Sequence, residues 1–303
     1  MVKNMKNTKS LSTFRFSGIG SGFSLGQALL TGFLLCYAFI CLMPFWYVLV
    51  SSLSDPQMVK EGEFKLLPTG FSLQSYKIVF RDRRFFNGLY ITLARTAIGS
   101  LLGITVQSMA AYALSRRYLK GRGIFRKLIV FTILFNGGII PNYLVMRNLH
   151  LLDKFPVMIL PMVFNPWNIV LLISFFVTMP DAIEESAKLD GANDLVIFFK
   201  LAVPLALPAI ATIILFIAVR HWNELMDGVM YIHSDALKPM QVYLYELVVR
   251  TSTGNMIEPA EQAITAVSIQ TAVIFASSLP IIILYPFLQR YFVKGIMIGA
   301  VKG

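Results

Sequence analysis

The run FSGIGSGFSLGQALLTGFLLCYAFICLMPFWYVLVSSLS, from Phe16 to Ser54, contains no charged residue. A bilayer-spanning helix needs about 20 mostly apolar residues, whereas the apolar core of a cleaved signal peptide has only roughly 7–15. The run therefore predicts a retained membrane-spanning helix, which we place at residues 25–53. Cys36 and Cys41 both lie within it, so we expect free thiols rather than a disulfide framework or a zinc site.

Composition extends this prediction to the whole chain. Of the 303 residues, 56% are apolar and 14% charged, and the mean hydropathy is +0.67. These values exclude an ordinary soluble protein and a disordered chain. Five further uncharged stretches predict an all-α polytopic membrane protein with six spans. We place the other helices at residues 86–115, 124–146, 155–179, 201–219 and 263–289, between an N-terminal segment 1–24 and a C-terminal tail 290–303.

Basic residues favour one orientation of these spans. With the amino terminus inside the cell, 15 Lys and Arg residues lie on the cytoplasmic side and 11 outside, and Arg95 lies within the second span. The segment after that span holds six basic residues and no acidic one, which is typical of a cytoplasmic loop. We therefore expect both termini in the cytoplasm. The net charge of +11 is expected to face the anionic lipid surface of a plasma membrane, not nucleic acid.

The segment DAIEESAKLDGAND, from Asp181 to Asp194, separates the fourth and fifth spans. Asp181 and Glu184 have the spacing of a variant capping box, and Glu184 and Lys188 have that of an i, i+4 ion pair. Gly191 permits the positive φ that ends a helix. We expect a helix–turn–helix that presents a small, partly acidic knob to the cytoplasm, where a partner protein receives it.

This segment resembles the EAA loop of ABC importer permeases, whose pattern is E-A-A-x-x-D-G-A followed by an apolar stretch and L-P. The matching residues are Glu185, Ala187, Asp190, Gly191, Ala192, Phe198, Leu201, Pro204 and Pro208, with Ser186 in place of the usual Ala. The stretches at residues 111–115, 135–141, 221–223 and 285–295 are similar to the maltose-permease-like branch that imports oligosaccharides in Gram-positive bacteria.

The resemblance implies a type I ABC importer permease fold and a set of partners. This chain and a second homologous permease subunit would form the translocation pathway for a carbohydrate, which an extracellular solute-binding lipoprotein delivers. The EAA loop, residues 181–200, would dock on a cytoplasmic ABC ATPase dimer through Glu185, Ala187, Asp190, Gly191, Ala192 and Phe198. For Glu185, a solvated helix charge is the alternative. The sequence has no G-x-x-x-x-G-K-[ST] motif, so we expect ATP and magnesium on the ATPase and no cofactor on this chain.

Two irregular places within the spans are candidates for the translocation pathway. Arg95 indicates a cavity or an interhelical pair, although its side chain is also close enough to the span's outer end to extend to the membrane surface. Asn136 and Asn142 bracket Gly137, Gly138 and Pro141, which predicts a bent or broken helix. Irregular backbone at membrane depth requires cover by protein or water, so this break is a pathway candidate, with a helix-packing notch as the alternative.

Two groups of polar and aromatic residues are further candidates for the translocation pathway. Asn165, Trp167 and Asn168 are of the kind that stacks on sugar rings, although an interhelical hydrogen bond is nearly as good an interpretation. Trp222 and Asn223 lie at the outer end of the fifth span, where an aromatic-belt role for Trp222 is favoured over a substrate contact.

Two other classes of protein are alternatives to a permease. A proton- or sodium-coupled carrier places carboxylates within its helices, but the six predicted spans contain no internal Asp or Glu. A membrane enzyme or scaffold is the other alternative, but neither H-E-x-x-H nor G-x-S-x-G is present. We therefore expect a permease subunit without catalytic residues of its own.

Overall fold

The computed structural model describes residues 25–59, 66–254 and 267–283, and every structural statement below concerns these residues. The predicted terminal segments 1–24 and 290–303, and the family-like stretch 285–295, lie outside them. The α-helices in chain order are α1 (Leu25–Ser52), α2 (Gln74–Val79), α3 (Arg83–Ser115), α4 (Arg122–Leu134), α5 (Ile139–Asn148), α6 (Leu160–Val163), α7 (Pro166–Phe176), α8 (Asp181–Leu189), α9 (Asp194–Ile197), α10 (Val203–Leu205), α11 (Leu207–Asn223), α12 (Met226–Tyr231), α13 (Met240–Gly254) and α14 (Val267–Ile283).

The chain divides into two units, Met1–Tyr47 and Val48–Gly303. The described part of the first unit is the larger part of α1. Its apolar side chains are exposed, and Phe33 and Phe39 are 67% and 61% accessible. Exposed apolar side chains along a helix of this length suit contact with lipid.

In the described residues, α1 and α3 are long and apolar enough to cross a bilayer unbroken. α3 is the axis of the second unit. Asp82 caps it by accepting a hydrogen bond from the Arg84 backbone N–H at 2.9 Å, so the helix begins at Arg83, before the predicted residue 86. Further along, Gly103 lets α11 pack closely, and Ile104, Leu172 and Ile213 belong to the main core that joins α3, α7 and α11.

Three other candidate spans are bent pairs of helices, which gives up to five spans in the described residues. α4 and α5 meet at 117°, so the break predicted around Gly137 and Gly138 is confirmed; Gly138 has a φ of +87°. The continuous helix predicted at 155–179 is wrong, because the chain bends by 46° between residues 155–163 and α7, at Asn165 and Pro166. α14 covers part of the sixth predicted span.

The predicted helix 201–219 is also wrong as a continuous rod. The segment from Asp194 to Leu205 meets α11 at 86°, and a π-helical turn, Phe198–Ala202, precedes the bend. Pro208 lies in the first turn of α11, where its missing N–H costs no hydrogen bond. The bend directs α8 and α9 away from the axis of α11, so the predicted knob lies at the end of the helix bundle.

Candidate functional site

α8 begins differently from the sequence prediction. Pro180 precedes it and no side chain caps it, so the predicted capping box is wrong. Asp181 is itself the first helical residue, and the carboxylate of Glu184 is directed into the protein instead of back along its own backbone. Both acids still lie in the first turn, where they interact favourably with the helix dipole.

Glu184 forms a buried ion pair with Arg116, which directly follows α3. Arg116 Nη1 donates to Glu184 Oε2 at 2.7 Å, and the side chains are 4% and 7% exposed. Arg116 also donates from Nη2 to the Phe176 carbonyl at 2.6 Å and from Nε to Ser115 Oγ at 2.9 Å. Lys188 donates to Glu184 Oε1 at 2.9 Å, which confirms the predicted i, i+4 pair. We call these five residues the Arg116 network.

The pKa shifts of Glu184 and Lys188 favour the charged forms of both side chains. Burial alone would raise the pKa of Glu184, but hydrogen bonds from Lys188 and Arg116 outweigh it and the pKa is lowered overall. The hydrogen bond to Glu184 is also the main reason that the pKa of Lys188 is raised. Burying a pair is costly unless its remaining donors and acceptors are satisfied, as they are here. The network therefore fixes α8 against the end of α3.

A second set of contacts ties α8 to α9. The Lys188 ammonium lies 4.0 Å from the centre of the Tyr118 ring and 3.5 Å from Asp194 Oδ1. The turn between the helices is closed by a hydrogen bond from the Ala192 N–H to the Ala187 carbonyl at 2.9 Å. Gly191 has a φ of +82°, which confirms the predicted positive φ. The angle between α8 and α9 is thus set by both the backbone and the side chains.

The residues that match the EAA pattern divide into two groups. Glu185, Asp190 and Gly191 are exposed, whereas Ala187 and Ala192 are half-buried against the main core. Phe198 is buried, and its ring centre lies 5.4 Å from that of Tyr112. One half of the motif therefore holds the loop in place and the other half faces outward.

Leu189 was missed by sequence reasoning. Its side chain is 90% exposed, on the same helix face as Glu185. The signal was present in the i, i+4 spacing of Glu185 and Leu189, which places both on one face, directed away from Glu184. The outward surface of α8 thus combines one large apolar side chain with Glu185 and Asp190, which suits insertion into a groove on another protein. We call Glu185, Leu189 and Asp190 the knob.

Arg95, in the body of α3, is fully buried. Its Nη2 donates to the backbone carbonyl of Glu224 at 2.5 Å, so the side chain makes an interhelical contact and does not extend to the membrane surface. Other buried polar atoms nearby have no partner among the described residues. These atoms belong to Thr96, Ser100, His221 and Asp227. Arg95 Nε and Nη1 also lack partners there, and we call the five residues the Arg95 cluster.

His221 lies in the family-like stretch 221–223, and its sequence context indicates no role for it. Its imidazole is 1% exposed and packs directly on Gly99, where no side chain would fit. The usable signal was Gly99, one helical turn after Arg95, because a small residue there leaves room for a large polar side chain from a neighbouring helix.

The polar residues at the break between α4 and α5 act locally. Asn136 Oδ1 accepts a hydrogen bond from the Gly138 N–H at 2.9 Å, which shapes the break, and Asn142 is exposed. At the next bend Asn165 accepts from the Asn168 N–H at 3.1 Å and caps α7. Asn136 and Asn165 therefore have structural roles that the sequence left open, whereas Asn142 is accessible.

The remaining candidates differ in exposure. Asn168 is buried and donates to Gln107 Oε1 at 3.0 Å, so it forms the interhelical hydrogen bond given as the alternative. Trp167 is 60% exposed. Trp222 is only 5% exposed, so its favoured aromatic-belt interpretation is wrong, and Asn223 bonds to the Val219 carbonyl of its own helix at 2.9 Å. Asn168 and Trp222 are therefore buried, whereas Trp167 and Asn223 are exposed.

Comparison with known proteins gives a consistent result. Residues 97–298 match the family described as binding-protein-dependent transport system inner membrane component. The polygalacturonan/rhamnogalacturonan transport system permease protein YtcP of Bacillus subtilis (strain 168) is 43% identical over 287 residues, which cover 92% of this chain and 99% of that protein. Protein LplC of the same organism is 36% identical, with 87% and 90% covered.

A solved structure shares the fold. It is the crystal structure of a bacterial ABC transporter involved in the import of the acidic polysaccharide alginate. The TM-score is 0.79 at 34% sequence identity, and the match covers 89% of this chain and 96% of that one.

Proposed function

Because the chain belongs to the family of binding-protein-dependent transport system inner membrane components, we propose that it is the permease subunit of an ATP-driven ABC importer for carbohydrates. It is a multi-pass membrane protein that forms half of the translocation pathway. A second homologous permease subunit supplies the other half. The chain itself carries no part of ATP hydrolysis.

One observation carries the mechanism: the buried ion pair between Arg116 and Glu184. A pathway opened by a separate ATPase needs a rigid element that transmits movement from the ATPase to the membrane helices. The Arg116 network joins α8 to the end of α3. The π-helical turn and the segment that contains Pro208 connect the EAA loop to α11. The knob is then the part that enters the ATPase, so movement of α8 displaces α3 and α11 together.

We infer the partners from the family and from the exposed position of the knob. The knob faces a cytoplasmic ABC ATPase dimer, which binds ATP and magnesium. An extracellular solute-binding lipoprotein delivers the substrate at the opposite end of the spans, in keeping with the family description. Both termini lie in the cytoplasm, as the count of basic residues favours.

The substrate is an oligosaccharide, and acidic oligosaccharides are the first to test. One relative is a polygalacturonan/rhamnogalacturonan permease, and the solved transporter imports an acidic polysaccharide. Among the pathway candidates, Trp167 and Asn142 are exposed in this chain and are available to a sugar. The buried candidates Arg95 and Asn168 position helices beside the pathway.

Gly191 offers a test with a matched control. A Cβ at this position meets nothing within 4 Å, so the strain of a substitution comes from the φ of +82° alone. Gly191→Val should cost about 1–2 kcal/mol locally and change the angle of α8, whereas Gly191→Asn tolerates this backbone region much better.

Uptake and ATPase stimulation by the binding protein should be measured for both variants in the assembled importer. We expect Gly191→Val to reach the membrane but to lose uptake and stimulation together, and Gly191→Asn to keep most of both. Wild-type values for Gly191→Val would show that the loop does not couple the two subunits.

A further inference from the structure

A pocket of about 450 Å³ lies where the end of α3, the start of α4 and the connection from α7 to α8 meet. Its polar wall contains four arginines, and the rest of the lining comes from Ser115 and the segment before α8. We call it the arginine pocket, and its lining residues are Ser115, Arg116, Arg117, Arg122, Arg126, Val177, Thr178, Met179, Pro180 and Asp181.

The positive charge of the arginine pocket exceeds what the chain neutralises. Arg116 is paired with Glu184, and Asp181 is the single carboxylate in the lining. The guanidinium groups of Arg117 and Arg122 have no hydrogen-bond or ion-pair partner in the part of the chain that the structure describes. Several arginines around one cavity repel one another unless an anion occupies it.

Two of the arginines are already held in place. Arg126 donates from Nε and Nη2 to the Leu114 carbonyl at 3.0 and 2.6 Å, which leaves Nη1 available. Arg116 is immobilised by its contacts in the Arg116 network. Holding these side chains in advance lowers the entropy that is lost when a ligand binds.

The start of α8 adds a further attraction for an anion. Pro180 and Asp181 line the pocket, and no side chain caps the nine-residue helix. The first backbone N–H groups of such a helix attract negative charge.

From these observations we propose that the arginine pocket binds a phosphate group, carried by a phospholipid headgroup or by a soluble phosphate. Guanidinium groups bind phosphate through paired, charge-assisted hydrogen bonds, which lysines do not reproduce. The pocket lies at the end of the apolar helix α3, where a headgroup would be found, and it is also wide enough for a free anion. A bound phosphate links α4 to the start of α8 and so strengthens the attachment of the knob.

The test uses the purified importer with its partner subunits in a neutral detergent. The midpoint of thermal unfolding is followed while inorganic phosphate is added, with chloride at the same ionic strength as the reference. A second titration uses dihexanoyl phosphatidylglycerol, with dihexanoylglycerol, which lacks the phosphate, as its reference. Arg122→Gln and Arg117→Gln remove one pocket guanidinium each, and Lys127→Gln removes an exposed charge of α4 that does not line the pocket.

We expect a saturable rise of the midpoint with at least one phosphate compound, and an apparent affinity at least about tenfold weaker in each arginine variant but unchanged in Lys127→Gln. A response to the lipid alone identifies a headgroup site, and a response to inorganic phosphate alone identifies a soluble anion. The proposal is overturned if neither compound exceeds its reference, or if Lys127→Gln weakens binding as much as Arg122→Gln does. It is also overturned if Arg122→Gln reduces copurification of the ATPase with no phosphate dependence, because the pocket would then bind protein.

Discussion

α3 carries one buried arginine within its body and another directly after its end. Arg95 and Arg116 are 0% and 4% exposed and are separated by roughly 30 Å at the helical rise per residue. Arg116 uses all three of its nitrogens on a carboxylate, a carbonyl and a hydroxyl. Arg95 uses one nitrogen on a backbone carbonyl, and its other two have no partner among the described residues.

This difference indicates that Arg116 is held more firmly by its surroundings than Arg95 is. Buried polar groups in folded proteins are normally hydrogen-bonded, and a fully satisfied network is rigid. The Arg116 network meets that condition and holds α8. The Arg95 cluster does not meet it, because several of its buried polar atoms have no partner among the described residues.

The largest effect should come from disrupting the Arg116 network. Arg116→Met leaves Glu184 buried beside Lys188, which is 40% exposed, and frees the Phe176 carbonyl. Removing one member of a buried pair typically costs ~3–5 kcal/mol. We expect loss of ATPase copurification and of uptake.

Arg95→Met, in the body of α3, is the matched control. It removes one backbone hydrogen bond together with two nitrogens that lacked partners, so the complex should still assemble. Equal loss of assembly in the two variants would contradict the contrast between Arg95 and Arg116.

The next effect tests packing at the Arg95 cluster. A Cβ on Gly99 would lie less than 3 Å from the imidazole of His221, so Gly99→Ala forces α3 and α11 apart at an overpacking cost of about 1–3 kcal/mol. At Gly103 a Cβ would meet Ile217 at 3.4 Å, which is ordinary contact, so Gly103→Ala serves as the control. The midpoint of thermal unfolding should fall for Gly99→Ala and stay near wild type for Gly103→Ala.

Asp227 should give a pH dependence. Burial is the main reason that its pKa is raised from 3.8 to about 6, Glu224 adds to this, and Arg95 and Arg220 oppose it. Because the folded-state pKa is the higher one, the stabilising contribution is complete below pH 3.8 and is lost as the pH rises through about 6. The unfolding midpoint of the wild type should therefore decrease across this range relative to Asp227→Asn. Parallel curves for the two proteins would place the Asp227 carboxyl in water.

The smallest effect is expected from substituting the charged residues of the knob. Glu185 is exposed, and screened charges at the edge of an interface contribute little. Glu185→Ala and Asp190→Ala should each change the free energy of unfolding by less than about 0.5 kcal/mol. They should reduce binding-protein-stimulated ATP hydrolysis only modestly, and Leu189→Ala should reduce it more. A loss for Glu185→Ala as large as that for Arg116→Met would mean that the exposed charge, and not the attachment, carries the coupling.

Local signals in the sequence were sufficient for part of this picture. Uncharged runs predict spans because lipid excludes charge, and the glycines at 137, 138 and 191 predict a break and a turn because they tolerate unusual backbone angles. The ion pair of Glu184 and Lys188 follows from helical spacing alone. Each of these inferences needs only residues that are close in sequence.

The sequence did not predict contacts between residues that are far apart along the chain. The partner of Glu184 is Arg116, 68 positions away, and helical spacing gave no reason to choose it over the five other basic residues of its loop. The capping box failed for the same reason, since this distant arginine holds the Glu184 carboxylate. Trp222 was assigned to the membrane surface because of its position, but packing in the folded chain buries it.

The central claim is that the pair of Arg116 and Glu184 attaches the knob to α3, and a double-mutant cycle on ATPase copurification tests it most directly. The single variants are Arg116→Met and Glu184→Met, and the double variant places two apolar side chains in the space of the pair. Glu184→Met leaves the buried Arg116 without a carboxylate, and Arg116→Met leaves Glu184 with only the partly exposed Lys188, whereas replacing both members of a buried pair is often nearly neutral. We therefore predict that the double variant retains more ATPase than either single variant, with a coupling free energy of about 0.5–3 kcal/mol. Strictly additive losses would show that the two residues act independently and that the attachment lies elsewhere.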